Sequence, residues 1–218
     1  MKKLLQILLL TSILTNFSFG IERDITIMRT SLFLNVATKV FLVLQDDYHF
    51  FNQFKLDFDK LGISYISGRE FNDGREISSQ NLAFSIGLKD SLYTNKYIDI
   101  TIENEIILTK WNSKKAISIN PNGYIFTLKP MIIYTFKKLK IKEFNLYAEI
   151  GSGISYMDNS IAEDRQKSTQ FQFSDSLGFG IKSKKYKIGY RFTHISNLDI
   201  QTPNPSIDFH QVLFGFRF

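Results

Sequence analysis

The sequence contains no cysteine, only four prolines and a single tryptophan. Without cysteine the chain has no disulfide framework and no thiol nucleophile. The scarcity of proline leaves long stretches free to form strands, in which proline would remove a backbone hydrogen bond. After the first twenty residues, no run approaches the roughly 18 consecutive apolar residues that a membrane helix needs. Any membrane contact must therefore come from another kind of structure.

The sequence also lacks the motifs that bind nucleotides, metals or nucleic acids. Its three histidines show no metal-ligand spacing, its lysines form no long basic tract, and no glycine-rich phosphate loop is present. We therefore expect no metal, no cofactor and no nucleic-acid partner. The formal charge of +6 is mild, and it suits a soluble surface as well as one that contacts anionic head groups.

The first twenty residues have the three parts of a secretory signal. Lys2 and Lys3 form a basic region, residues 4–14 form an apolar region too short to span a bilayer, and Ser18 and Gly20 are small residues at the positions that a signal peptidase recognises. We predict a signal peptide at residues 1–20 and a segment of uncertain structure at 21–50. Within that segment, residues 31–44 are compatible with a periplasmic amphipathic helix or a further pair of strands.

Beyond residue 50, apolar and polar residues alternate with a period of two. In the last twelve residues, Val212, Phe214, Phe216 and Phe218 occupy even positions, whereas the odd positions include the polar or small residues Gln211, Gly215 and Arg217. A barrel in lipid requires this alternation, because successive strand side chains point to lipid and to the interior. The pattern recurs in eight segments: 55–66, 82–88, 98–108, 124–136, 144–156, 169–181, 186–196 and 207–218. The predicted fold is all-β, an eight-stranded antiparallel transmembrane β-barrel within residues 51–218.

The gaps between the predicted strands alternate between short and long. Segment 55–66 needs a bulge near Leu61 and Gly62 to keep its alternation in phase. Long polar gaps at 68–79, 111–123, 157–168 and 197–206 are typical of outer loops, and short ones of periplasmic turns. An eight-stranded barrel is filled by side chains, so inward charges indicate a structural network. Those charges are Asp99, Glu103, Glu105, Lys129, Glu149, Arg191 and Arg217.

The last two predicted strands carry polar residues on their lipid-facing parity, next to the outer loop that joins them. His194 and Ser196 extend the even face of one strand, and Asp208 and His210 extend that of the other. Because one loop joins the strands, they form a hairpin and these side chains share one outward patch near the outer-leaflet head groups. Rim positions are often polar because the membrane ends there, but a Ser, a His and a carboxylate together also indicate chemistry.

That set predicts a nucleophilic triad. A serine hydroxyl is a weak nucleophile without an adjacent base, so we expect Ser196 to attack an ester carbonyl and His194 to take its proton. Asp208 would orient His194 and stabilise its charged form, and Asn197 or a backbone N–H in the following loop would stabilise the oxyanion. His210 is the alternative base. His194 is preferred because it lies two residues from Ser196 on one strand face, about 7 Å along the strand.

Three stretches resemble the lipid A 3-O-deacylase (PagL-like) family of outer-membrane esterases. They are residues 189–197, with the order His194, Ile195, Ser196, Asn197; residues 203–208, a Pro-Asn-Pro loop that ends on Asp208; and the closing residues 214–218. Residues 171–180 resemble the family's preceding strand. The resemblance is close over roughly the last fifty residues and extends to the rest in architecture.

The resemblance implies an enzyme of the bacterial outer membrane that removes the acyl chain at the 3-position of lipid A without a metal. By matching position, Ser196 is the nucleophile, His194 the base, Asp208 the acid and Asn197 the residue beside the nucleophile. The sequence departs from the family in that its acid is Asp rather than the typical Glu, Leu198 and Asp199 replace small residues, and Ser206 replaces a glycine.

Two alternatives share the predicted fold. One is a non-enzymatic small barrel that serves as a structural anchor or binds partners at the cell surface. The other is an enzyme with the same wall geometry that cleaves phospholipid instead of lipopolysaccharide. The preferred acyl-chain length depends on the shape of a groove between outward side chains, and the sequence does not specify it.

Overall fold

A computed structural model describes residues 55–70, 77–115 and 118–218. The predicted signal peptide at 1–20 and the segment at 21–50 lie outside these residues. Within the described ranges, no helix is long and apolar enough to cross a membrane.

The chain forms a closed antiparallel sheet of eight long strands. Every long strand pairs with the next long strand along the chain, and the first closes the ring against the last. The predicted eight-stranded barrel is thereby confirmed. Its strands are β1 Leu56–Arg69, β2 Ile77–Leu88, β4 Ile98–Ser113, β5 Asn122–Ile141, β6 Phe144–Met157, β9 Phe171–Lys182, β10 Tyr186–Ser196 and β11 Ile207–Arg217. Three two-residue strands complete the described fold: β3 Tyr93–Thr94, β7 Ile161–Ala162 and β8 Arg165–Gln166.

Several strands are longer than the alternation predicted. Strand β2 begins five residues before the predicted segment, and β4 and β5 extend to Ser113 and Ile141. Hydrogen-bonded pairing continues after the apolar alternation has ended, since Asn112 still pairs with Asn122. The predicted boundaries therefore mark the apolar part of the wall rather than the ends of the strands. The predicted bulge in the first segment is present, as a register shift between Asp57 and Leu61.

The two faces of the barrel differ as a membrane wall requires. Outward side chains such as Phe84, Leu108, Phe179, Val212 and Phe214 are exposed and apolar. Because lipid solvates such side chains, the apolar band identifies the membrane-facing surface.

Part of the interior holds a charged network, which includes the predicted Glu103, Glu105, Glu149, Arg191 and Arg217. The Arg191 guanidinium donates to Glu105 at 2.8 and 2.9 Å and to Glu149 at 2.7 Å. Lys187 bridges Glu149 at 2.8 Å and Glu103 at 3.3 Å. Because these groups are buried, loss of any one of them would leave its partner as an unpaired charge and destabilise the fold.

The loop end of the interior is apolar. A buried cluster of inward side chains lies where the strands lead into the long loops, and Ala162 of β7 packs against it. The other members are Ile77, Trp111, Ile125, Met157, Ile195, Ile207 and Phe209. This cluster supports the ends of β10 and β11 from inside the barrel.

Replacing Arg191 with methionine should destabilise the barrel by about 3–5 kcal/mol, because Glu105 and Glu149 would remain buried without their counter-charge. Unfolding in urea, followed through the single Trp111, measures the loss. Lys138→Met, at an exposed lysine, is the matched control and should change stability by less than about 0.5 kcal/mol. Equal stability of both variants would contradict a paired interior network.

Candidate active site

The pairing of β10 with β11 places the predicted triad in one row. His194 lies directly opposite Asp208 in the register, and Ser196 ends β10 two residues further on the same face. Further down the two strands, the same parity carries the exposed Ile188 and Phe214. The triad thus continues the lipid-facing rows of the wall up to the long loop between the strands.

The three side chains form a continuous hydrogen-bonded chain. Nδ1 of His194 lies 2.5 Å from Oδ1 of Asp208, and Nε2 lies 3.0 Å from Oγ of Ser196. The Ser206 hydroxyl donates to the other carboxylate oxygen of Asp208 at 2.9 Å. All three triad residues are buried, with 2–5 % of their surface exposed. When Nδ1 donates its proton to Asp208, Nε2 presents its lone pair to the hydroxyl of Ser196.

The direct cross-strand position explains how the shorter acid reaches its partner. Residues opposite each other in an antiparallel pair have Cβ atoms roughly 4.5–5.5 Å apart. Across that gap, the single methylene of Asp208 brings its carboxylate onto the imidazole of His194, as the 2.5 Å contact shows. The Asp at this position is therefore compatible with a complete triad.

The turn after the nucleophile has an unusual backbone. Leu198 and Asp199 have φ values of 56° and 58°, the left-handed region that residues other than glycine seldom adopt. This conformation directs the backbone N–H of Leu198 toward Ser196, with the nitrogen 3.5 Å from Oγ. A backbone donor beside a serine nucleophile is the usual component of an oxyanion hole.

The side chain of Asn197 is engaged within the loop. Its Nδ2 donates to Oγ of Ser168 at 2.7 Å and to the carbonyl of Gln201 at 2.6 Å, and its backbone N–H donates to Asn204 at 2.8 Å. Of the two predicted oxyanion donors, the backbone N–H of Leu198 is the one that contacts Ser196, and its role as an oxyanion donor remains a prediction. A role of the Asn197 side chain in catalysis remains a prediction.

The row of outward polar side chains that contains His194 and Asp208 continues onto β9 and β6. The predicted site includes no residue of these two strands. Asp175 of β9 is the partner of His194 on the side away from Asp208, and Ser152 of β6 is the partner of Asp175. Asp175 is buried and accepts a hydrogen bond from Ser152. The apolar residues on either side of Asp175 at odd positions of β9 were the signal that it faces outward.

His210 lies on the same outward face, opposite Phe192. Its Nδ1 is 2.5 Å from the hydroxyl of Tyr190, and its ring packs edge-on against Phe192 with centroids 5.2 Å apart. These contacts engage the His210 ring with its aromatic neighbours on the wall.

Small cavities lie in the described part of the barrel. They measure about 30 and 20 Å³, the first near Glu103 and Lys182 and the second near Lys129 and Thr193. Each has room for about one or two water molecules. Neither of these two cavities has room for a molecule much larger than water.

Comparison with known proteins agrees with this geometry. A family profile described as "Lipid A 3-O-deacylase (PagL)" matches residues 81–217. The lipid A deacylase PagL of Bordetella bronchiseptica is 33% identical over 73 residues, which cover 33% of this chain and 41% of that protein. The namesake of Pseudomonas aeruginosa is 27% identical over 86 residues, which cover 39% of this chain and 48% of that protein. The matches therefore span less than half the length of these curated relatives.

A solved structure shares the fold. The crystal structure of the outer membrane enzyme PagL superposes with a TM-score of 0.62 at 17% sequence identity, covering 72% of this chain and 99% of that one. The family profile covers more than half of the 218 residues and includes the whole predicted triad. The resemblance seen in the sequence is thereby confirmed: this chain belongs to the lipid A 3-O-deacylase (PagL) family.

Proposed function

We propose that this chain hydrolyses the 3-O-linked acyl ester of lipid A, with Ser196 as nucleophile, His194 as general base and Asp208 as the acid that orients the base. The observation that carries the proposal is the hydrogen-bonded chain from Asp208 through His194 to Ser196. Family membership supplies the substrate class, since the curated relatives are named as lipid A deacylases.

In the first half of the reaction, Oγ of Ser196 attacks the ester carbonyl carbon while Nε2 of His194 takes the hydroxyl proton. The carbonyl oxygen becomes an oxyanion, which the Leu198 N–H stabilises. Asp208 offsets the charge on the imidazolium. The intermediate then collapses, the ester oxygen of the sugar leaves with the proton from Nε2, and the acyl group remains on Ser196.

In the second half, water attacks the acyl carbon as His194 takes one of its protons. The new intermediate expels Oγ of Ser196, which recovers a proton from Nε2, and the free fatty acid departs. Every proton transfer passes through one nitrogen, so the Nδ1 contact with Asp208 must persist throughout.

The location of the triad fits a membrane-embedded substrate. The site continues the lipid-facing wall at its loop end, which in an outer-membrane barrel meets the outer leaflet. Lipid A, the lipid anchor of lipopolysaccharide, presents its acyl esters at that depth. The protein therefore acts in the bacterial outer membrane, and lipopolysaccharide is its partner.

The non-enzymatic barrel is less compatible with the site. Buried polar groups on a lipid-facing wall are costly, and a structural anchor has no use for a serine, an imidazole and a carboxylate in hydrogen-bonding sequence. A phospholipid substrate would use the same chemistry, so the experiment below includes one.

Ser196→Ala and His194→Ala should each lower ester hydrolysis by at least about 10³-fold, because triad members act as a unit. Asp208→Asn should be severely impaired, since an amide does not stabilise the imidazolium. The measurement is loss of the 3-O-acyl chain from purified lipid A by mass spectrometry, and a chelator should leave the rate unchanged. Retained electrophoretic mobility of unheated samples shows that each variant is folded.

His210→Ala is the control for the other histidine on the wall, and most activity should remain. Phospholipid in place of lipid A should be cleaved poorly. Full deacylation by the Ser196→Ala protein would refute the triad, and faster cleavage of phospholipid than of lipid A would refute the substrate.

Asp208→Glu tests whether the shorter acid is fitted to this site. The additional methylene must displace the carboxylate from the Ser206 hydroxyl or from His194, and we expect turnover to fall about tenfold, equivalent to about 1.4 kcal/mol. The turnover number on lipid A measures this. A rate equal to or above that of the native protein would show that the Asp is merely tolerated.

A further inference from the structure

The segment between β6 and β9, residues 158–170, places an arginine beside the strand that carries the catalytic acid. Arg165 forms a two-pronged ion pair with Glu70, which follows β1, with Nη1–Oε1 and Nη2–Oε2 distances of 3.0 and 2.8 Å. The Glu70 side chain is fully buried and that of Arg165 is 9 % exposed. The pair thus joins two loops that are remote in sequence.

Both members of the pair also hold the backbone leading into β11. Nη1 of Arg165 donates to the carbonyl of Ser206 at 2.7 Å, and the backbone N–H of Asp208 donates to Glu70 at 3.4 Å. The side chain of Ser206 in turn donates to the Asp208 carboxylate at 2.9 Å. Lys167 of the same segment donates to the carbonyl of Pro205. The acid is therefore fixed from its backbone and from its carboxylate.

We propose that Glu70 and Arg165 are a positioning pair that sets Asp208 against His194; this rests on the proposed function. Breaking a buried ion pair is destabilising because it leaves one charge unpaired, but the hydrogen bonds of this pair to the Ser206 carbonyl and the Asp208 N–H also fix the acid. Asp208 carries one methylene fewer than the family's usual acid, and a shorter side chain has less freedom to correct an error in its backbone position. Catalytic groups must be held within about 0.5 Å of their productive geometry.

The pair acts through Asp208 rather than through substrate. Its loss should therefore lower kcat and leave KM nearly unchanged, because the ground-state contacts of the acyl chain lie on the outer wall. We expect Arg165→Met to lower kcat by at least tenfold with KM within twofold of the native value. Arg165→Lys keeps the charge but loses the second prong, and it should recover part of the rate.

A control ion pair joins the same segment to the residues after β4. Lys115 and Asp164 form an exposed pair, and their hydrogen bond raises the pKa of Lys115 and lowers the pKa of Asp164. Lys115→Met removes this exposed pair, which makes neither of the hydrogen bonds to Ser206 and Asp208 that the Glu70–Arg165 pair makes, and its kcat should stay within twofold of the native protein.

The deciding experiment combines the substitutions with loss of the acid. If the pair works through Asp208, Arg165→Met should lower the residual rate of the Asp208→Asn protein by less than twofold. The same tenfold loss in both backgrounds would show a general structural effect and overturn the proposal, as would an unchanged kcat in Arg165→Met alone. Should Arg165→Met fail to fold, Glu70→Gln supplies the same comparison with almost no change of shape.

A second measurement separates this proposal from the assignment of substrate. A long-chain alkyl fluorophosphonate reacts with an activated serine whatever the natural ester is. Slower labelling of Ser196 in Arg165→Met supports the positioning pair even if the native protein leaves lipid A intact. Cleavage of lipid A and labelling of Ser196 at native rates in Arg165→Met would overturn the positioning pair alone.

Discussion

The antiparallel register between β10 and β11 is the constraint on which the site depends. It sets His194 opposite Asp208, and the period of two then puts Ser196 on the same face as both. A shift of one residue would turn every outward side chain of one strand into the barrel. The closed ring prevents such a shift, because β11 is also held by β1 and β10 by β9. The pairing that closes the barrel thus also aligns His194, Ser196 and Asp208 on one face.

Contacts made by the loops fix parts of the site that the strand register does not. The segment 158–170 hydrogen-bonds the loop after the nucleophile through Ser168, and it holds the approach to Asp208 through Arg165. The left-handed turn at Leu198 and Asp199 costs conformational energy, which these contacts offset. Strain beside a nucleophile is common where a backbone donor must face a reacting group. The wall therefore carries Ser196, His194 and Asp208, whereas the loops hold the turn after Ser196 and the backbone that leads into Asp208.

Much of the fold and of the candidate site could be predicted from the sequence, because the alternation of apolar and polar residues is a local property. The parity of the last strands identified His194, Ser196 and Asp208 as one outward patch, and the resemblance assigned their roles. Parity does not specify register, however, so the direct pairing of His194 with Asp208 emerged only from the structure. Asp175 and the Glu70–Arg165 pair come from strands and loops far apart in sequence, and no local pattern joins them. Several predicted strands were shorter than the observed ones because hydrogen-bonded pairing continues beyond the residues of the apolar band.

The proposed triad requires the even positions of β11 to face lipid, and the orientation of that strand in the membrane is its most direct test. Since the chain has no cysteine, single cysteines at Val212 and Gln211 can carry a nitroxide label in reconstituted bilayers. Val212, which shares the parity of Asp208 and is 66% exposed, should be accessible to membrane-dissolved oxygen, whereas Gln211, at 4%, should not. Oxygen accessibility at Gln211 with protection at Val212 would mean that the even positions of β11, Asp208 included, face the barrel interior, and it would contradict a lipid-facing triad.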